Sequence, residues 1–121
     1  MSAFDELAAI PPQEIIGGLL ARVVHADRIT LAVVEIEPDA ELPEHSHENE
    51  QLGLVLSGSV TFRVGEEARS LGPGGIWRIP ANTSHFLRAS HEGAVVLDVF
   101  TPPRNDWKSL DALRPRQPRW P

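Results

Sequence analysis

The chain has 121 residues, 41% of them hydrophobic, a formal net charge of −6 and no cysteine. That length fits one domain, and the apolar fraction supplies a core and excludes a disordered chain. The missing cysteines exclude disulfides and thiolate ligands, and the acidic balance excludes the basic face that nucleic acid needs. No run reaches the ~20 apolar residues of a spanning helix. The start, Met1-Ser2-Ala3-Phe4-Asp5-Glu6, lacks the pattern of a signal peptide. The expectation is a cytoplasmic protein with small-molecule partners, engaging neither nucleic acid nor membrane.

Eleven prolines and nine glycines spread along the chain favour short strands over helices. Residues 1–18, with Pro11-Pro12 and Gly17-Gly18, are expected to be an arm leading into a core of about 19–104. Leu19 to Val24 and Ile29 to Glu37 read as strands around an Ala26-Asp27-Arg28 turn. Leu54 to Val64 reads as two strand pieces joined at Ser57-Gly58, with Val60, Phe62 and Val64 on one face. Gly65-Glu66-Glu67 signals a hairpin. Ile76 to Ile79, His85 to Ala89 and Ala94 to Thr101 are further strands. A short helix is expected from Trp107 to Leu113, N-capped by Asp106. The tail, 105–121, ends in an Arg/Pro-rich segment, read as an extended strap across the barrel or a partner, or alternatively as an anion-binding arm. The spacing of strands and turns indicates one antiparallel barrel or jelly roll over 1–121.

The chemistry gathers at His45-Ser46-His47-Glu48-Asn49-Glu50-Gln51. On an extended chain, residues two apart share a side, so His45, His47 and Gln51 can converge. His85 is the candidate fourth ligand. Three of only five histidines fall in this set, which lifts it above a lone His-x-His. Imidazole nitrogens suit a divalent transition metal: zinc, nickel, manganese, iron or copper.

These segments resemble the two cupin motifs. His45-x-His47-x-x-x-Gln51 followed by Gly58 resembles the first; Gly74-Gly75 through Pro80-x-Asn82-x-x-His85 resembles the second. The likeness covers roughly residues 25–101. It implies an all-β cupin barrel (a double-stranded β-helix, or jelly roll) with one metal on His45, His47, Gln51 and His85. Gln51 stands where the motif usually has glutamate, Gly75 where it has aspartate, and Asn82 where it has glycine. Three imidazoles and a neutral amide leave the metal charge uncompensated. That favours polarising a substrate oxygen over dioxygen chemistry.

Downstream, Val96, Asp98 and Phe100 share one face of an alternating strand, and Val95, Leu97 and Val99 the other. A carboxylate facing a barrel interior needs a reason. It is either a structural hydrogen-bonding group or an acid/base beside the metal. Arg104, after two prolines, is either exposed or a fork for a substrate carboxylate at the barrel mouth. Trp77 reads as barrel core, and His25 and His91 as solvated. With its Asp98-x-Phe100-x-x-x-Arg104 ending, the chain resembles the pectin-degradation proteins of the KdgF type. That resemblance implies an enzyme opening 4,5-unsaturated uronate monosaccharides to a linear ketouronate. It gives Asp98 a catalytic role and places Phe100 and Arg104 against the substrate. The rival expectations are an Fe(II)-dependent dioxygenase and a non-catalytic ligand-binding cupin. A homodimer through the Val95, Leu97 and Val99 face and the tail is also expected.

Overall fold

Alternating burial folds residues 2–121, those described by the computed structural model, into an antiparallel β-barrel. The strands are β1 (Gln13–Ile16), β2 (Leu19–His25), β3 (Thr30–Ile36), β4 (Glu41–His45), β5 (Glu50–Val64), β6 (Glu67–Leu71), β7 (Ile76–Ile79) and β8 (His85–Thr101). β5 and β8 pair along their whole lengths, from Glu50 opposite Thr101 to Val64 opposite His85. Each therefore serves both halves of the barrel. Their outer portions complete the order β1-β2-β3-β8-β5-β7, and their inner portions the order β4-β8-β5-β6.

The corner between the halves depends on glycine. Gly58 and Gly93 have φ of 73° and 75°, a region that L side chains avoid. A Cβ on Gly58 would sit 2.1 Å from the Gly93 carbonyl oxygen. The register shifts on both sides of this point, so the strands bend without breaking. The segment Ser90-His91-Glu92-Gly93 thus bends β8 instead of separating two strands. Ala21, Val34, Ile36, Val55, Phe62 and Val96 belong to the enclosed core.

The C-terminal segment differs from the expected helix. It forms a 3-10 turn over Asn105–Ser109, then runs extended. Asp106 does not cap it, because its carboxylate is taken by the Arg104 guanidinium. Beyond it, Gln13 donates to the Leu110 carbonyl and bridges to Ala112, pulling the chain straight along β1. β1 lies within the segment expected as an arm. The tail then straps the outer face of β2 and β3. There Arg22 and Glu35 form a 2.8 Å ion pair, with side chains 1% and 2% exposed. Arg22 also donates to the Arg116 carbonyl, and the Arg119 amide donates to Glu35. The Arg119 guanidinium pairs with Glu37 at 2.8 Å. Arg116 and Arg119 thus engage the chain's own carboxylates. Among the described residues, no helix is long and apolar enough to cross a membrane.

Candidate metal centre

Each histidine of the centre is presented by a different local structure. His45 ends β4 and stands opposite His85, the first residue of β8. His47 lies in the turn after β4, so the chain does not stay extended to Gln51, which lies near the start of β5. The turn folds back and recovers the convergence. Asn49 anchors it by donating to the Pro102 carbonyl at 2.6 Å. Pro80-Ala81-Asn82 approaches from the other side, where the Asn82 amide donates to the His47 carbonyl at 2.7 Å. Asn82 sits at φ 61°, a conformation that asparagine tolerates better than most residues.

One ligand atom from each of His45, His47 and His85 lies within 4.8 Å of the others. Ligands on opposite sides of a single ion at ~2.1 Å each would stand ~4.2 Å apart, so the spacing is close to what one ion bridges. The ring orientations fit as well. Each Nδ1 meets a backbone carbonyl: Pro43 for His45 at 2.8 Å, Asn49 for His47 at 3.0 Å, and Thr83 for His85 at 2.9 Å. Donating from Nδ1 leaves a neutral ring with its lone pair on Nε2. Nε2 of His85 is buried and has no hydrogen-bond partner. Nε2 of His47 stands 3.1 Å from Oε1 of Gln51. With Nδ1 carrying the ring proton, two lone pairs face one another there, an arrangement that a shared cation satisfies. The three-histidine group can hold a metal ion, and Gln51 Oε1 lies beside one of its ring nitrogens.

Electrostatics favour the neutral ring at His47 and at His85. Burial, and next the Arg104 charge, lower the His47 pKa. Burial brings His85 down to about 4. Val96, Asp98 and Phe100 of β8 face the same cavity, which measures about 310 Å³ and takes in the three histidines and Gln51. Asp98 is buried, and its Oδ1 accepts from Gln51 Nε2 at 2.8 Å and Trp77 Nε1 at 3.0 Å. Both donors are neutral. Burial therefore prevails over the two hydrogen bonds and the more distant Arg104, and pushes the Asp98 carboxyl up to about 6.

The cupin domain family matches residues 32–100, more than half of the chain. The chain belongs to the cupin family. This cupin is 26% identical over 99 residues to the pectin degradation protein KdgF of Dickeya dadantii, spanning 80% of this chain and 90% of that one. KdgF from a Halomonas species matches with a TM-score of 0.81 and 26% identity, over 88% of this chain and 98% of that one. An RmlC-like cupin from Shewanella frigidimarina matches at 0.82 and 21% identity, over 88% and 96%. Bacillus subtilis oxalate decarboxylase, which has Mn(II) centres, matches at 0.75 and 20%, over 90% of this chain and 32% of that one. The last two show the fold alone.

Two more residues of this cupin line the cavity in a defined pose. Phe100 lies against the His47 ring, with centroids 5.8 Å apart. Arg104 lies over Phe100 and Trp107, with its guanidinium carbon 4.9 and 4.1 Å from their centroids. Its Nε and Nη2 donate to both Asp106 oxygens, so the fork meets the chain's own carboxylate. Trp77 is buried, and it also hydrogen-bonds Asp98. That second role has no signature in Trp77 itself. The glycine between Leu52 and Leu54 is the signal that points to it, since glycine inside a strand marks a close approach.

Proposed function

We propose that this cupin is a metal-dependent enzyme that opens 4,5-unsaturated uronate monosaccharides to linear ketouronates in the cytoplasm. The observation that carries the reading is Asp98: a buried carboxylate held by neutral donors, in one cavity with the three-histidine group. The likeness to the KdgF proteins supplies the substrate class. His45, His47, Gln51 and His85 would hold the metal, which, when bound, supplies a Lewis acid for substrate oxygens. Zinc, nickel, manganese and iron(II) all suit this donor set.

Asp98 Oδ1 is occupied by two donors, so Oδ2 is the oxygen left for the substrate. It takes the proton of the anomeric hydroxyl. The C1–ring-oxygen bond breaks, C1 becomes an aldehyde, and the electron pair passes to the ring oxygen as the enolate of C5. Asp98 then returns its proton to C4, and C5 becomes a ketone. The atoms balance as an isomerisation, and Asp98 ends ionised as it began. Phe100 and Arg104 would flank the sugar. The substrate carboxylate meets Arg104 at Nη1, or displaces Asp106 from the fork.

The test is the ultraviolet absorbance of the conjugated enol ether in unsaturated galacturonate. Metal-loaded protein should abolish it without oxygen uptake, and chelated protein should not. Persistence of the band with loaded protein rejects the reaction; stoichiometric oxygen uptake favours an iron(II) dioxygenase. A second reading is binding without turnover. The aliphatic lining of the cavity, formed by Leu19, Val34, Ile36, Leu42 and Leu87, favours it because it suits a ligand with an apolar body.

The proposal includes a homodimer. Val95 is buried, so the contact would move along the outer face to Leu31, Leu52 and Ile76, which are 41%, 50% and 67% exposed. Sedimentation of wild type against Leu52→Glu tests it; a wild-type monomer at micromolar concentration rejects it.

A further inference from the structure

Gln51 has two ends of nearly equal size, and its function depends on which one faces the histidines. Its Oε1 stands 3.1 Å from His47 Nε2, and its Nε2 donates to Asp98 Oδ1 at 2.8 Å. Turned over, it would aim N–H groups at the three-histidine face, where they repel a cation. Its oxygen would then oppose Asp98 Oδ1. An ionised carboxylate only accepts hydrogen bonds, so Asp98 permits one orientation and rejects the other. A glutamate at position 51 would set two carboxylates in contact, like charges with no donor between them.

Asp98 must itself be held for this to work. Trp77 Nε1 donates to the same Oδ1 at 3.0 Å. The indole reaches it across Gly53, which pairs in register with Trp77 on β7 and with Asp98 on β8. A Cβ on Gly53 would lie 2.0 Å from Trp77 Nε1 and 2.1 Å from Cε2, so any side chain there expels the indole. Phe62 packs on the indole with ring centroids 4.7 Å apart.

We infer that Trp77, seated over Gly53, is a positioning residue that acts through Asp98 to hold the Gln51 amide with its oxygen toward the three histidines. The inference rests on the reading of Gln51 as a metal ligand, and not on the uronate reaction. Asp98 then has one oxygen for the amide and the other for the cavity. Residues that orient a ligand from outside the coordination sphere typically cost roughly 10- to 100-fold in metal affinity when removed.

The experiment is Co²⁺ titration of the metal-free protein, read by the visible absorption of the bound ion, which reports its ligand set. The proteins are wild type, Gln51→Ala, Asp98→Leu, Asp98→Asn and Trp77→Phe. Gln51→Ala should weaken Co²⁺ binding and change the band. Asp98→Leu, which removes the acceptor but keeps the bulk, should reproduce that spectrum with Kd raised roughly 10- to 100-fold. Asp98→Asn should rescue it, because its carbonyl oxygen still accepts from both donors. Trp77→Phe keeps the ring and loses the N–H, so its Kd should lie between those of wild type and Asp98→Leu. It carries the test alone if Asp98→Leu does not fold.

If Gln51→Ala changes the spectrum while Asp98→Leu and Trp77→Phe match wild type, the positioning role is overturned and the ligand set survives. If Asp98→Asn is as damaging as Asp98→Leu, charge rather than orientation is at work, and the inference is again overturned. If Gln51→Ala itself matches wild type, the ligand reading fails and takes the inference with it.

Discussion

Two carboxylates are buried on neighbouring strands, Asp98 on β8 and Glu35 on β3, and they face opposite sides of the same sheet. Glu35 points outward beneath the tail. It is met by the Arg22 guanidinium at 2.8 Å, with Arg119 and Arg116 at 3.7 and 4.0 Å. Asp98 points inward and is met by an amide and an indole, neither of them charged. A carboxylate met by cations from several segments serves to hold those segments together. One held by neutral donors keeps its proton affinity high and can exchange a proton near neutral pH. Burial alone therefore does not identify a functional acid; the charge of its partners does.

Substitution at each carboxylate should separate the two roles. Asp98→Asn keeps shape and acceptor but cannot take a proton. General acid–base catalysis contributes typically ~10²–10⁴-fold, so kcat for uronate opening should fall by about that factor while metal content stays at the wild-type level. Assay of the enol-ether band on metal-quantified protein checks this. Glu35→Ala should do the reverse. It strands a buried Arg22, and breaking a buried pair typically costs about 3–5 kcal/mol. Urea unfolding should show that loss, with kcat per folded molecule unchanged. If Glu35→Ala lowers kcat as strongly as Asp98→Asn, the contrast between the two faces collapses.

A smaller effect is expected at Arg104, which touches the cavity but is paired with Asp106 as a structural arginine would be. Arg104→Lys keeps the charge and loses the planar fork. It should raise KM for carboxylate substrates several-fold, on the order of 1 kcal/mol for one charge-assisted bond, with little change in kcat. An unchanged KM would assign Arg104 to the structural side of the comparison.

The smallest effect is a slope. Burial raises Asp98 from 3.8 to about 6, so the folded metal-free protein binds that proton more tightly than the unfolded chain. Stability from this group is full below pH ~4 and is lost as pH rises toward 6. His85 is lowered from 6.5 to about 4, so the unfolded chain takes its proton first. Its effect has the opposite sign, with stability rising as pH climbs from 4 to 6.5. The two contributions oppose each other over one window. Asp98→Asn removes the falling one, so the urea midpoint of the metal-free variant should climb more steeply between pH 4 and 6.5 than that of wild type. Equal slopes would mean that Asp98 is not shifted by burial.

Much of this was legible in the sequence, for identifiable reasons. Strand alternation put Val60 and Phe62 on one face of their strand and Val96 and Phe100 on one face of theirs, and a carboxylate among valines marked Asp98. The histidine spacing marked the centre even though the chain turns at His47, because the turn restores the convergence that an extended strand would give. Partnerships between distant segments were not legible. Nothing local in Trp77 shows that its N–H meets Asp98, and nothing in Asp106 shows that Arg104 claims it from the helix cap. Arg22 and Glu35 are covered by a tail that lies 94 and 84 residues further along the chain at its two contacts. Such contacts are decided by tertiary packing, which overrides local propensity.

The most direct test is anomalous diffraction at the cobalt edge from crystals grown with Co²⁺. The account predicts one peak inside the barrel, ~2.1 Å from nitrogens of His45, His47 and His85, with the Gln51 oxygen turned toward it. A barrel with no peak among the three histidines, or cobalt only at surface carboxylates, would contradict it.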